Sequence, residues 1–190
     1  MSDRKRELRR ELRSRRDDYA HGLDRAPLET ALSRLLHANV DLRAEVASYA
    51  AIGSEVSVLP DLPVAYPRTV ARGVPLTFHH CDPSELVRGG FEVPEPLHDA
   101  QRVEPAIVLV PLLGVDLAGH RIGYGAGHYD CTLQSLRSRQ AVYAIGCAWD
   151  MQIVDAIPAE PWDEPLDAIV TPTRFLRLRD RLAAGAPRPR

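Results

Sequence analysis

The sequence is poor in cysteine and has no long apolar run. Its three cysteines, Cys81, Cys131 and Cys147, include no C-x-x-C pair, which argues against a disulfide framework and against a tetrahedral zinc site. The charged first residues lack the apolar stretch of a signal peptide, and no segment approaches the roughly 20 apolar residues that a transmembrane helix requires. We therefore expect a cytoplasmic protein with reduced thiols and no membrane contact.

The chain also lacks the strong positive charge of a general nucleic-acid coat protein, because its net charge is −2. That charge is uneven: residues 1–18 carry eight basic and five acidic side chains, a local +3, so the other 172 residues carry −5. A nucleic-acid-binding module that uses the basic segment is therefore an alternative function. The acidic remainder and the absence of interleaved aromatic residues count against it, and its binding would fall steeply with salt.

The composition is that of an ordinary folded protein, with 45% hydrophobic and 26% charged residues. Apolar periodicity predicts the secondary structure. Helices are expected at 3–19, 27–37 and 129–139, and strands at 45–52, 74–80, 106–115, 141–149 and 167–173. We expect an α/β fold: a single three-layer domain at 1–182, with a largely parallel central sheet flanked by helices, a basic N-terminal helix and a disordered tail at 183–190.

The first helix is expected to carry two neighbouring stripes of side chains. The apolar stripe comprises Leu8, Leu12 and Tyr19, and the cationic stripe comprises Lys5, Arg9, Arg13 and Arg16. Since the cationic stripe lies beside the buried face, its side chains can point along the protein surface at a bound molecule. The alternative is that Lys5 and Arg9 are solvated surface charges, as most such residues are.

The segment RIGYGAGHYD, residues 121–130, places three glycines at alternate positions between a predicted strand and a predicted helix. Such a backbone can approach a ligand closely, and its exposed amides together with the helix N-terminus favour an anion such as phosphate. The pattern is neither the dinucleotide-binding G-x-G-x-x-G nor a P-loop. A flexible turn built from small residues is the alternative.

Several nearby side chains have two interpretations. Asp130 is either an N-cap of the predicted helix or a Mg²⁺ ligand accompanying a phosphate. His128 is a possible general base, although a packing or ligand-contact role is commoner. Glu55 is by position a loop residue. The run HHCD at 79–82 offers metal-ligand types, but neighbouring strand residues point to opposite faces and converge poorly on one ion.

Taken together, these segments resemble one known family over nearly the whole chain. The matching segments are KRELR (5–9), SYAAIGSEV (48–56), FEVPEP (91–96), VLVPLLGVD (108–116), RIGYGAGHYD (121–130) and the motif that ends in LDAIVT (152–171). The sequence resembles the 5-formyltetrahydrofolate cyclo-ligases, also called 5,10-methenyltetrahydrofolate synthetases. The resemblance implies an ATP-dependent, Mg²⁺-requiring closure of 5-formyltetrahydrofolate to 5,10-methenyltetrahydrofolate, which releases ADP and phosphate through a phosphorylated formyl intermediate.

The resemblance also implies roles for individual residues. It assigns ATP binding to Lys5, Arg9, Arg121, Gly123, Tyr124, Gly125, Ala126, Gly127, His128 and Tyr129, with Lys5, Arg9 and Tyr129 catalytic. It assigns folate binding to Glu55, Phe91 and Tyr124, and Mg²⁺ binding to Asp130 and Asp163. The implied partners are these small molecules alone, with no nucleic acid or membrane, for a protein that is a monomer or a weak dimer.

Five positions depart from the family's common pattern. Cys131 stands where an arginine often follows the aspartate, Trp162 where a histidine is common, and Pro172 where an acid is common. Ala126 and His128 replace a commoner glycine and aromatic residue. Loss of an arginine beside the phosphates would lower activity, so a paralogue that binds folate or nucleotide without turnover is a second hypothesis.

Overall fold

The computed structural model describes residues 3–58, 64–89 and 93–179. Three helices are α1 (Asp3–His21), α2 (Arg25–Asn39) and α3 (His128–Arg137). The strands are β1 (Val46–Ala47), β2 (Val64–Arg68), β3 (Thr77–Cys81), β4 (Val87–Arg88), β5 (Pro94–Glu95), β6 (Arg102–Val103), β7 (Ile107–Pro111), β8 (Gly114–Val115), β9 (Arg121–Ile122), β10 (Tyr143–Cys147), β11 (Ala168–Val170) and β12 (Phe175–Arg177). The expected tail at 183–190 lies outside the described residues, and the domain limits stay a prediction.

Eight of these strands form one sheet in the order β12-β11-β10-β7-β1-β2-β3-β6. The five strands from β11 to β2 are parallel to one another, and β12, β3 and β6 add antiparallel edges. The largely parallel sheet expected from the sequence is therefore confirmed. The predicted order of strand, glycine-rich loop, helix and parallel strand is also confirmed. Strands β7 and β10 pair in parallel, and α3 lies between them in the sequence.

Helices cover both faces of the sheet. Leu36 of α2 packs with Ile107, whereas Leu133 of α3 packs with Val108 on the opposite face. All four side chains are at most 1% exposed. Consecutive residues of β7 thus support two different layers, which explains the unbroken apolar run of this strand and confirms the three-layer arrangement.

Helix α1 packs at a third place, the edge of the sheet where the parallel strands end. Its Leu12 lies in a small apolar cluster with Leu113 and Ile122, on the chain that follows β7. The prediction that Tyr19 extends the buried stripe is wrong, since this residue is 37% exposed and Ala20 is buried instead. The basic helix therefore borders the carboxyl ends of the strands, where ligands of parallel sheets bind.

The strand predictions differ from the structure in several places; for example, the strand expected at 45–52 is only Val46–Ala47. No strand was predicted between the strands expected at 45–52 and 74–80, yet β2 lies there and pairs with β1 and β3. The predicted strand 106–115 is divided, because β7 ends at Pro111 and β8 turns away to pair with β9. Within the described residues, no helix has the length and apolar character needed to cross a membrane.

Candidate active site

A cavity of about 910 Å³ opens at the carboxyl edge of the sheet, between α1, the chain after β1, the start of α3 and the segment between β10 and β11. Thirteen predicted site residues line it: Lys5, Arg9, Glu55, Arg121, Gly123, Tyr124, Gly125, Ala126, Gly127, His128, Tyr129, Asp130 and Asp163. Phe91, the fourteenth, lies outside the described residues. Residues from four distant parts of the sequence therefore share one cavity.

The cationic stripe of α1 faces this cavity. Lys5 is 6% exposed, and its Nζ lies 2.5 Å from Oδ2 of Asp163. Arg9 donates from Nε to the carbonyl oxygen of Gly123 at 2.6 Å, and its partial burial lowers the pKa of its guanidinium. The alternative that Lys5 is a solvated surface charge is therefore wrong.

The glycine loop, residues 123–127, requires glycine at two positions. Gly125 has φ +93° and Gly127 has φ +75°, a region that side chains of other residues rarely allow. A Cβ atom on Gly125 would also lie 3.1 Å from Cζ of Arg9. Within the described chain, the backbone N–H groups of residues 124–127 donate to no protein acceptor. The glycine loop and Arg9 both line the cavity, an arrangement that suits an anion better than a merely flexible turn would.

Asp130 does not cap α3, because Gly127 occupies the N-cap position. Its Oδ1 instead accepts hydrogen bonds from Nη2 of Arg121 at 2.7 Å and from the backbone N–H of Glu164 at 3.1 Å. The N-cap interpretation is thus wrong. Asp130 is tied to the strand before the glycine loop and to the segment that carries Asp163.

Asp163 and Asp130 supply the carboxylates of the proposed metal site. Oδ2 of Asp163 also accepts from the backbone N–H of Glu160 at 2.8 Å. The described residues contain no cluster of three or more histidine, cysteine or acidic side chains that could enclose a metal alone. Two carboxylates on one cavity wall still suit Mg²⁺, which binds one or two carboxylates and completes its shell with phosphate oxygens and water.

Glu55 is a buried carboxylate that also lines this cavity. Its side chain is 5% exposed, and Oε2 accepts from the backbone N–H of Ile52 at 2.9 Å. Burial raises the pKa of this carboxyl, whereas the Ile52 amide, the charge of Arg16 and the phenol of Tyr124 oppose the increase. Glu55 thus lies in a loop, as its sequence position indicated, but its carboxylate is buried.

Arg16 was predicted only as part of the cationic stripe, and it proves to be 1% exposed. The guanidinium groups of Arg16 and Arg13 each lie 5.6 Å from the centre of the Tyr124 ring. Nη2 of Arg16 donates to the Tyr124 hydroxyl at 2.5 Å. The helical spacing of Lys5, Arg9 and Arg16 was the sequence signal for a shared face, but nothing in the spacing indicated burial.

The two aromatic positions at the start of α3 differ in environment. Burial raises the pKa of Tyr129 well above the usual range, so this residue stays a neutral phenol, and its ring packs against the core beneath α3. His128 is the first residue of α3, and its Nδ1 lies 3.5 Å from the carbonyl oxygen of Val74. This contact favours the packing interpretation of His128.

The HHCD run forms no metal site. Nδ1 of His79 lies 2.7 Å from the carbonyl oxygen of Ala100, whereas Nε2 of His80 lies 3.0 Å from the Glu45 carboxylate. Adjacent strand positions thus have separate partners, as the alternation of side chains predicted.

Fold and cavity define a class: an α/β protein with a glycine loop and a cationic helix at the carboxyl edge of a largely parallel sheet. Comparison with known sequences specifies the family. Residues 1–172 match the model of the 5-formyltetrahydrofolate cyclo-ligase family, and the chain belongs to that family.

Individual relatives agree with this membership. The chain is similar to the 5-formyltetrahydrofolate cyclo-ligase of Escherichia coli K12, with 37% identity over 117 residues, and the match spans 60% of this chain and 63% of that protein. For the enzyme of Mycolicibacterium smegmatis, identity is 36% over 68% of this chain and 74% of the relative. The structure resembles the 5,10-methenyltetrahydrofolate synthetase of Aquifex aeolicus, with TM-score 0.72, 27% identity and 93% coverage of both chains.

Proposed function

We propose that this protein catalyses the ATP-dependent cyclisation of 5-formyltetrahydrofolate to 5,10-methenyltetrahydrofolate, with release of ADP and phosphate. The observation that carries the proposal is the meeting of thirteen predicted site residues in one cavity. Family membership and the activity in the names of the relatives support it. The cavity lies in the upper part of the range of about 300–1,000 Å³ that is usual for ligand sites, which suits two substrates in contact.

The chemistry explains why ATP is needed. Ring closure requires N10 of the folate to attack the formyl carbon and the formyl oxygen to leave, but an amide oxygen is a poor leaving group. In the proposed reaction, the formyl oxygen first attacks the γ-phosphorus of ATP, and ADP leaves. N10 then attacks the formyl carbon, and the formyl oxygen leaves as part of inorganic phosphate. The protein's task is mainly to align the two substrates and to stabilise phosphoryl charge.

The cationic wall is suited to the triphosphate. Lys5 and Arg9 would neutralise phosphate oxygens, and the amides of the glycine loop would donate hydrogen bonds to them. Arg121 holds Asp130 and forms part of the same wall. We propose that Asp130 and Asp163 would hold Mg²⁺, which supplies charge neutralisation at the transferring phosphoryl group.

The wall that carries Glu55 is suited to the pterin. A buried carboxylate can accept hydrogen bonds from the pterin's amino and ring N–H donors, and such charge-assisted bonds are strong. Tyr124, in the glycine loop, provides an aromatic ring beside this carboxylate. Tyr129, as a neutral phenol, would donate a hydrogen bond near the phosphates. Stacking of Phe91 on the pterin ring stays a prediction.

The decisive experiment mixes purified protein with 5-formyltetrahydrofolate, ATP and Mg²⁺, and follows both the methenyl absorbance and ADP release. We expect product that requires ATP and that is lost in Asp130→Ala, while the exposed-site variant Asp18→Ala keeps full activity. Folded protein that binds both substrates without product would contradict the proposal and favour the non-catalytic paralogue. Cys131→Arg, at a cavity position that departs from the family pattern, would then be the next variant.

The expected partners follow from the same cavity. We propose that the protein acts on these small molecules as a monomer or weak dimer in the cytoplasm, without nucleic acid. Lys5 and Arg9 of the basic helix point into the cavity, which supports this view over the nucleic-acid alternative. Binding to a duplex that weakened steeply with added salt would contradict it.

A further inference from the structure

Arg16 is the most deeply buried charged residue of the cationic stripe, and no role has been assigned to it so far. We propose that Arg16 is a positioning residue that holds Glu55 and Tyr124 in place for the pterin. This inference rests on the proposed function, because it concerns the folate end of that cavity. It assigns to α1 a second task, separate from phosphate binding by Lys5 and Arg9.

The contacts of Arg16 join three segments of the chain. Its Nε donates to Oγ of Ser54 at 2.9 Å, and its Nη1 donates to the carbonyl oxygen of Leu112 at 3.3 Å. Nη2 donates to the Tyr124 hydroxyl at 2.5 Å, and Nη1 lies 3.8 Å from Oε1 of Glu55. Every guanidinium nitrogen therefore contacts the chain after β1, the chain after β7 or the glycine loop.

This arrangement needs the planar fork of a guanidinium. A lysine ammonium at the same place would be a point charge on a flexible stem and could not reach three segments in fixed directions. A buried charge is also costly unless it is paired and hydrogen-bonded, and each nitrogen of Arg16 meets that condition. The Arg16 side chain thus joins three segments of the chain through hydrogen bonds in fixed directions.

Arg16 also acts on the charge of Glu55. The groups that face this carboxylate are Arg16 from α1, Tyr124 from the glycine loop and the amide of Ile52 from its own segment, with the phenols of Tyr49 and Tyr129 nearby. Of these, Arg16 alone is a cation. It therefore favours the ionised form of Glu55, whose oxygens act only as acceptors and so suit pterin N–H donors.

The test measures KM for folate and for ATP separately in Arg16→Gln and Arg16→Lys. We expect Arg16→Gln to raise the folate KM on the order of tenfold or more, since charge-assisted contacts are lost, while the ATP KM changes by less than about twofold. The acid limb of the folate kcat/KM profile should move to higher pH. Arg16→Lys should be intermediate. Arg15→Gln and Arg15→Lys, at the adjacent half-exposed position, are the matched controls.

Two further variants separate positioning from simple destabilisation. Tyr124→Phe removes one acceptor of Arg16 and should raise the folate KM in the same direction by a smaller factor. If Arg16 acts through Glu55, adding Arg16→Gln to the Glu55→Gln variant should change the folate KM little further. Equal increases in both KM values, or full additivity with Glu55→Gln, would overturn the inference. Inactivity of the wild-type protein would instead refute the proposed function.

Discussion

Nζ of Lys5 lies 2.5 Å from Oδ2 of Asp163, so the start of α1 is joined to the segment between β10 and β11 across 158 positions of sequence. Both side chains line the cavity, and both are largely shielded from solvent. The same carboxylate is a proposed Mg²⁺ ligand. One carboxylate thus contacts a lysine ammonium and is also proposed to hold the divalent cation, so Lys5 lies beside the proposed metal position.

Lys5 is the only lysine of the chain, so any label on a lysine side chain identifies this position. We expect an amine-acylating reagent to modify Lys5 and the N-terminal amine, to abolish turnover, and to react more slowly when Mg²⁺ and ATP are present. Peptide mass spectrometry would locate the label. Lys5→Met should lose kcat by on the order of 10²–10³, comparable to removal of one transition-state donor.

The matched control for Lys5→Met is Arg6→Met, at an exposed neighbour on α1. This variant should keep wild-type kinetics. Retention of normal ATP KM and kcat in Lys5→Met, or equal labelling rates with and without nucleotide, would show that Lys5 has no role at the phosphates.

Gly125 and Gly73 form a natural pair for testing the glycine loop. Both have positive φ, +93° and +74°, but a Cβ on Gly125 would press on Arg9, whereas a Cβ on Gly73 would meet nothing within 4 Å. Each alanine variant should lose roughly 1–2 kcal/mol of unfolding free energy because of backbone strain. Only Gly125→Ala should also weaken ATP binding, as measured by calorimetry. Equal ATP affinity in the two variants would contradict a phosphate-binding loop.

The sequence predicted the secondary structure best where the local pattern of apolar residues reflects the way the segment is buried in the fold. The apolar run of β7, the glycine loop and α3 were all placed correctly, because a strand buried on both faces and an amphipathic helix leave clear signals. Strand β2 was missed since prolines surround it and Pro67 lies within it. Its pairing with β1 and β3 is a long-range contact that no local pattern indicates.

The residues that line the cavity could be predicted from the sequence, but the contacts between them could not. Glu55, Asp130 and Lys5 were named from the family resemblance, and all three line the cavity. The burial of Arg16 could not be predicted, because a basic residue on a helix is normally solvated and only the closure of three segments around it excludes water. The cap interpretation of Asp130 also failed because of a tertiary contact. The pairing of β8 with β9 positions Arg121, which then binds the Asp130 carboxylate.

Asp130→Asn tests the metal assignment with little change of shape. The amide oxygen can still accept from Arg121 and from the Glu164 backbone, so the fold should persist, but the negative charge is lost. We expect the Mg²⁺ concentration for half-maximal activity to rise by at least about tenfold, the change usual when a metal site loses an important partner. Thermal stabilisation by Mg²⁺ with ATP should fall in parallel. An unchanged Mg²⁺ dependence, with Asp18→Asn as the reference, would exclude Asp130 as a ligand.

Glu55 makes stability and folate affinity change in opposite directions with pH. Burial raises its pKa in the folded protein, so between the ordinary value and the raised one the folded chain holds a proton that the unfolded chain has released. The contribution of this carboxyl to the unfolding free energy is therefore largest at acid pH and falls as pH rises through the folded-state pKa. Folate affinity should rise over the same interval, because the ionised carboxylate accepts the pterin's N–H donors at both oxygens and with charge assistance, whereas protonation turns one oxygen into a donor.

The measurement is the difference between wild type and Glu55→Gln, in melting temperature and in folate Kd, across that pH range. Taking the difference removes the titration of the ligand and of every other side chain. We expect both differences to depend on pH with opposite signs, while Glu104→Gln, at a half-exposed site, gives flat differences. Folate affinities of wild type and Glu55→Gln that run parallel at all pH values would show that Glu55 does not contact the pterin, and the buried carboxylate would then need a structural explanation through its bond to Ile52.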